Sequence, residues 1–318
     1  MRFLPVGAFA LAMVITATDT AGAGSARQIP DSALDKVLAT YAGKGVSDGV
    51  VIIAIHGQPV FQRTFGLANR EWNVPTTPDA RYRIGSLTKQ FTAAAILQLV
   101  EQGKLRLDDP ITNYISDAPD SWRKITIRHL LTHTSGIPNF TEIPEADHWI
   151  GRPAEDVIRL VAGRPLLFNP GDRFAYDNMG YVLLGHIVAK ASGVPFADYL
   201  RAHVLEPAGM THSGFVGDEV APKRANGYVR DGQRWLSASW DSGVRSSGAG
   251  ALYATAGDLL KWDRALHGGK ILTPASERLM FTDFGNHYGF GYLVDMEGRH
   301  LRWEHNGHVD GYSAALAR

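Results

Sequence analysis

The chain is 318 residues long, 45% hydrophobic and 20% charged, with 32 Lys+Arg balanced by 32 Asp+Glu. That length buries a substantial core, and the lack of a basic excess argues against a nucleic-acid partner. Cysteine is absent, which excludes disulfides, thiolate metal sites, a cysteine nucleophile and a lipid-bearing Cys.

Residues 1–23 read as a signal peptide. Arg2 precedes an apolar run from Phe3 to Ile15, and Ala21-Gly22-Ala23 offers a small-residue cleavage site. The run is shorter than the roughly 20 residues that span a bilayer. The expectation is an exported protein, periplasmic or secreted, with residues 24–318 as its folded part and no membrane segment after cleavage. An amphipathic helix is predicted over residues 32–43. A hairpin follows, with β-branched and aromatic runs at 50–55 and 60–65 on either side of His56-Gly-Gln-Pro59. Residues 86–102 predict a helix that stops at Gly103 and is apolar on nearly every side, as a helix inside a protein is. A second apolar helix, 180–191, closes at Gly193. Further helices are predicted over 154–161, 196–203, 256–267 and 274–280, and strands over 288–294, 300–305 and 312–317. Strands at both ends with helices between predict a mixed α/β (α+β) fold: an antiparallel sheet built from both termini, flanked by helices, with an inserted helical subdomain.

Lys89 is the one charged residue between Ser86 and Val100. A buried ammonium is costly, so burial favours the neutral amine. Ser86 lies three residues earlier on the same helix face, at the N-terminus, where the helix dipole favours developing negative charge. A serine beside a neutral amine is a nucleophile with its base. The same pattern also fits an N-cap serine with a lysine turned outward, and Ser-x-x-Lys alone does not decide between them. Ser121-Trp-Arg-Lys124 repeats the spacing without an apolar helix around it. Tyr176-Asp177-Asn178 precedes the second apolar helix. A tyrosine facing a lysine can shuttle a proton, whereas a packed tyrosine with an asparagine cap is the plainer alternative. His305-Asn306-Gly307-His308 lies at a predicted strand end, where a glycine lets a substrate approach the backbone and the next N–H can complete an oxyanion hole. His267-Gly-Gly269 matches that pattern but reads as a helix C-terminus. Gly45-Val-Ser-Asp-Gly49 matches the nucleophile-elbow pattern, yet its strand follows rather than precedes it. The remaining histidines have no metal-ligand spacing, so no metal and no cofactor are expected.

Ser86-Leu-Thr-Lys89, Tyr176-Asp-Asn178 and His305-Asn-Gly307, in that order, resemble the three motifs of serine β-lactamases and penicillin-binding proteins. The runs Tyr82-Arg-Ile-Gly-Ser-Leu-Thr-Lys-Gln-Phe-Thr92, Leu130-Leu-Thr-His-Thr-Ser-Gly-Ile137, Pro170-Gly-Asp172, Tyr181-Val-Leu-Leu-Gly185, Ala254-Thr-Ala-Gly-Asp258 and Tyr288-Gly-Phe-Gly291 are similar to the class C β-lactamase-related family. The likeness covers roughly residues 31–318 and implies the β-lactamase/penicillin-binding transpeptidase-like fold. It implies an acyl-enzyme: Ser86 attacks, Lys89 is the general base, and Tyr176 assists the leaving group and the deacylating water. Asn178 holds the substrate and orients Lys89, and the N–H groups of Ser86 and His308 form the oxyanion hole.

Two departures bear on substrate. His305 stands where β-lactamases of this class typically carry lysine, and a partly charged imidazole titrating at about 6 to 7 grips a carboxylate less well. Asp177 stands where a small residue is common, adding negative charge that disfavours anionic substrates. Both point toward esterase or D-amino-acid peptidase activity on a small molecule or peptide, ahead of β-lactamase activity. A non-catalytic penicillin- or peptidoglycan-binding module is the alternative outside the enzymes. Oligomeric state has no signal in the sequence. In the family a further strand and a closing helix follow the third motif. The chain is therefore expected to be C-terminally incomplete, with bare edges at residues 50–55 and 312–317.

Overall fold

The β-branched runs flanking His56 pair as predicted. The structure is a computed structural model describing residues 10–17, 48–143, 154–217, 220–238 and 247–318. In it β2 (Asp48–Ile55) and β3 (Gln58–Phe65) form an antiparallel hairpin. The turn is tighter than expected: His56 (φ 50°) and Gly57 (φ 71°) are its two central residues, and two left-handed residues match the twist of the flanking strands. Pro59 is thereby drawn into β3, opposite a register shift between Ile53 and Ala54. A proline that cannot donate is tolerated on this edge strand.

The C-terminal strands are β4 (Leu293–Glu297), β5 (His300–Val309) and β6 (Tyr312–Ala317). β4 starts later than predicted, after Gly291 turns left-handed at φ 77°. β5 runs on past His305, so His305-Asn306-Gly307-His308 lies within a strand rather than at its end, paired with Leu316 to Ser313 of β6. The six-stranded sheet has the order β4-β5-β6-β1-β2-β3. It is antiparallel except at β1 (Ala10–Ala17), which runs parallel to both neighbours. The expected bare edges of residues 50–55 and 312–317 are therefore covered. The strand that covers them comes from the apolar run expected to be a targeting segment. The predicted cleavage site at 21–23 and the helix predicted over 32–43 lie outside the described residues.

Between the two ends of the sheet come the helices. α1 (Thr88–Glu101) follows a 3-10 turn, Gly85–Leu87, and is buried from Thr88 through Leu97. Its end is as predicted: Gly103 is left-handed (φ 68°), and the Gly103 and Lys104 amides bond back to Val100 and Leu99. α2 (Asn178–Ser192) closes on left-handed Gly193, and α3 (Ala256–His267) packs across β1 and β2. The helix predicted over 196–203 is an α-turn, Phe196–Leu200, continued by a π-helix, Arg201–Leu205. Ser121 falls in a short 3-10 turn at the surface, and His267 does end its helix, so neither rival match is a site.

A short helix, Ser247–Gly250, lies against both α1 and α2. A Cβ on Gly248 would sit 2.1 Å from the Tyr181 carbonyl oxygen and 3.1 Å from the Gly185 amide. Only a glycine lets the two backbones meet there, and that contact sets the distance between α2 and the segment that reaches Lys89. Gly248→Ala should therefore force the two apart and cost about 1–3 kcal/mol. Chemical denaturation measures this, and an unchanged unfolding midpoint would contradict the close contact.

Candidate active site

Ser86 and Lys89 come together because the 3-10 turn feeds directly into α1, which keeps the two residues on one face. Ser86 is half-buried; Lys89 is fully buried. The Lys89 Nζ has three neighbours within hydrogen-bonding distance: Ser86 Oγ at 3.0 Å, Asn178 Oδ1 at 2.8 Å and the Ala249 carbonyl oxygen at 3.0 Å. These come from the 3-10 turn before α1, the start of α2 and the 247–250 helix, so the amine is the meeting point of three segments. Burial pushes the Lys89 pKa down to about 7, with Asp177 opposing.

The hydrogen count fits the neutral amine. Two of its partners, the Asn178 and Ala249 carbonyl oxygens, can only accept; a neutral amine has two hydrogens for them. Its lone pair is then directed at the third neighbour, the Ser86 hydroxyl, which can donate. That arrangement aims a base at a nucleophile.

Tyr176 closes the group. Its hydroxyl lies on the Ser86 side of the cluster and its ring centroid is 4.9 Å from Lys89 Nζ. Burial raises the phenol pKa, the Ser86 hydroxyl opposes, and Asp177 adds to the rise. Tyr176 is therefore a phenol at rest and is suited to relaying a proton. Asn178 is held from behind: its Nδ2 and its backbone N–H both donate to Asn139 Oδ1, at 3.4 and 3.3 Å. Asn139 thus fixes which end of the Asn178 amide faces the lysine.

The third segment arrives on β5. A Cβ on Gly307 would lie 1.8 Å from the Ile84 carbonyl oxygen and 3.1 Å from the Ser86 amide nitrogen, and a Cβ on Gly85 would lie 2.8 Å from the His308 amide nitrogen. Two glycines facing each other let the strand touch the nucleophile's turn, which brings the Ser86 and His308 amides to the same place. Two amides so placed can stabilise an oxyanion. The His308 ring is exposed beside them.

Two expectations drawn from charge are corrected. Asp177 does not face a substrate. It is buried and caps α2, with Oδ1 accepting from Met179 N–H at 2.6 Å and Oδ2 from Gly180 N–H at 3.0 Å. Burial raises its pKa, while those two amides and Lys89 pull it down. His305 does not titrate near neutrality. It is buried, its Nδ1–H donates to the Asn306 carbonyl at 2.7 Å, and Nε2 accepts from the Tyr288 hydroxyl at 3.1 Å. Burial, with Lys89 adding to it, pushes the imidazole down to about 3. His305 is a neutral part of the wall and not a carboxylate grip. An imidazole titration followed by NMR should show His305 uncharged down to about pH 4, given that depressed pKa. A titration at 6 to 7, the free imidazole range, would restore the charge-based reading.

The structure brings Ser86, Lys89, Tyr176, Asn178, Gly307 and His308 together in one cluster, with His305 behind it. Sequence reasoning missed Asn139 and the Ala249 carbonyl. A backbone acceptor carries no side-chain signal, and nothing in the sequence marks Asn139 among other loop asparagines.

Comparison with known proteins follows the same lines. The β-lactamase family model matches residues 33–318. Esterase EstB of Burkholderia gladioli is 30% identical over 301 residues, covering 77% of this chain and 74% of that protein. The octameric penicillin-binding protein homologue from Pyrococcus abyssi superposes with a TM-score of 0.80 at 30% identity, over 91% of this chain and 71% of that one. The D-amino acid amidase of Ochrobactrum anthropi SV3 superposes with a TM-score of 0.71 at 28% identity, over 89% and 85% of the two chains. With Ser86, Lys89 and the strand-borne Gly307 meeting in one cluster, this chain belongs to the β-lactamase family of serine hydrolases.

Proposed function

We propose that this protein is an exported acyl-transferring hydrolase that cleaves esters or amides of uncharged acyl groups through an acyl-enzyme at Ser86. The observation that carries the reading is the set of partners around Lys89. A buried amine with two acceptor-only neighbours and a hydroxyl as the third is poised to take the Ser86 proton. In acylation Lys89 removes that proton as Oγ attacks the carbonyl carbon. The oxyanion rests on the Ser86 and His308 amides, and Tyr176 passes a proton to the leaving alcohol or amine. Water, activated along the same Tyr176–Lys89 route, then releases the acid and restores Ser86.

The choice of uncharged acyl groups rests on the wall of the site. His305 is neutral and the Asp177 charge is turned into the cap of α2, so neither a cation nor an anion is offered to a substrate carboxylate. Relatives named as an esterase and as a D-amino acid amidase are consistent with this. Export is supported by the Arg2-led apolar run and the small residues at 21–23. Cleavage there would also remove β1 and open the sheet between β2 and β6. N-terminal sequencing of the protein recovered outside the cytoplasm tests this; an intact Met1 would refute it.

A fluorophosphonate probe should label wild type and not Ser86→Ala. Turnover of p-nitrophenyl acetate should exceed that of nitrocefin, whose carboxylate finds no partner; the reverse order would make the protein a β-lactamase. Ser86→Ala and Lys89→Ala should each abolish turnover, with the double variant no worse than either, because the two groups act as a unit.

The acid limb of kcat/KM should fall near pH 7, where Lys89 becomes protonated. Asp177→Asn keeps a capping side chain but removes the group that favours the ammonium form. The limb should then move to lower pH, and a limb that stays in place would show that Asp177 carries no charge during turnover.

A further inference from the structure

His133 is a buried residue to which the mechanism above gives no part. It is 1% exposed and its backbone is left-handed, at φ 55°. That backbone turns its carbonyl and its side chain toward the same stretch of chain. The carbonyl accepts from the Ala175 amide at 2.9 Å, and Nδ1 accepts from the Asp177 amide at 3.1 Å. Between these two anchors, the imidazole lies against the Tyr176 ring with centroids 4.4 Å apart. One residue thus holds the chain before the tyrosine, the chain after it and the ring itself.

The other faces of the imidazole are packed by Tyr288 at 4.8 Å, Tyr181 at 5.2 Å and Phe174 at 5.8 Å between centroids. Because Nδ1 is an acceptor, the ring hydrogen belongs on Nε2, which has no hydrogen-bond partner among the described residues. Burial, with Lys89 and His305 adding to it, keeps the ring uncharged. Three requirements meet at this position: a flat ring to back the phenol, an acceptor for a buried N–H, and tolerance of a left-handed backbone. Phenylalanine lacks the second, asparagine lacks the first, and histidine has all three.

We propose that His133 is the positioning residue of Tyr176, holding the phenol beside Ser86 and Lys89. Tyr176 is 37% exposed, and its other ring neighbours, His305 at 6.1 Å and Tyr288 at 6.4 Å between centroids, stand farther off than His133; without the ring of His133 behind it the phenol is free to swing away from Ser86 and Lys89. Misplacement of about 1 Å at such a group is enough to slow turnover severely. The proposal rests on the reading that Tyr176 relays a proton during acyl transfer.

The test is hydrolysis of p-nitrophenyl acetate by the full chain carrying His133→Asn or His133→Phe, each in the presence of Tyr176 and in a Tyr176→Phe background. Beside Tyr176, each substitution should lower kcat by about tenfold while KM stays within about twofold. Beside Tyr176→Phe, the further loss should be under about twofold, since there is no hydroxyl left to position. Equal losses in both backgrounds would overturn the proposal and leave His133 with a role in stability alone. Full turnover by Tyr176→Phe alone would instead remove the proton-relay reading beneath it, a separable result. Should both His133 variants fail to fold, nitrogen NMR of the wild-type protein decides: unprotonated Nδ1 with protonated Nε2 supports the proposal, and the opposite tautomer or a charged ring overturns it.

Discussion

The structure is organised by the cost of burying one lysine. Lys89 is the one charged residue of a fully buried helix stretch, and no carboxylate is within ion-pair distance to offset its charge among the described residues. A charge in that position is expensive, and losing the proton is the cheaper alternative. The neutral amine still needs hydrogen-bond partners, and the chain supplies them from two segments far away in sequence, at Asn178 and Ala249. Each of those segments needs its own support. Asp177 caps α2 so that its first residue is Asn178, Asn139 turns the Asn178 amide, and Gly248 lets the helix bearing Ala249 lie directly on α2.

A second constraint is the approach of β5 to the nucleophile's turn. A strand carries side chains on alternate faces, and any side chain at position 307 would collide with the Ile84 carbonyl. Glycine at 307 and at 85 removes the obstruction from both sides. The sheet holds β5 in register through its pairing with β6, so the position of the His308 amide is fixed by β-sheet hydrogen bonding and not by loop conformation. β6 in turn is supported on its other side by β1, parallel to it, and through β1 by the N-terminal hairpin. The two ends of the sequence thereby meet beside the site.

The histidine and tyrosine rings around the site share a property: burial holds each of them neutral. His305 and His133 are both pushed down by burial with Lys89 adding to it, while Tyr176 and Tyr288 are pushed up by burial. A wall of neutral hydrogen-bonding groups guides protons without offering charge to a substrate. It also leaves Lys89 and the buried Asp177, each brought to about 7 by burial, as the groups beside Ser86 whose protonation changes near neutral pH.

The sequence by itself determined the local elements and the family. The hairpin, α1 with its stop at Gly103, α2 with its stop at Gly193 and the C-terminal strands follow from apolar periodicity and glycine placement, which are local properties of the chain. Ser86, Lys89, Tyr176, Asn178 and Gly307 were legible because their spacing and neighbours resemble three known motifs. What the tertiary structure decided was charge and orientation. His305 reads in sequence as a titrating imidazole and Asp177 as an added anion. Burial and two hydrogen bonds neutralise the first, and the N-terminus of α2 absorbs the second. The place of β1 in the sheet is likewise a tertiary matter, since it follows from the unpaired backbone of two strands, β2 and β6. The Ala249 carbonyl, Asn139 and His133 acquire their importance only from what lies opposite them. Local pattern fixes which residues form an element; solvent exclusion and long-range hydrogen bonds, which no single stretch of sequence contains, fix their protonation and their aim.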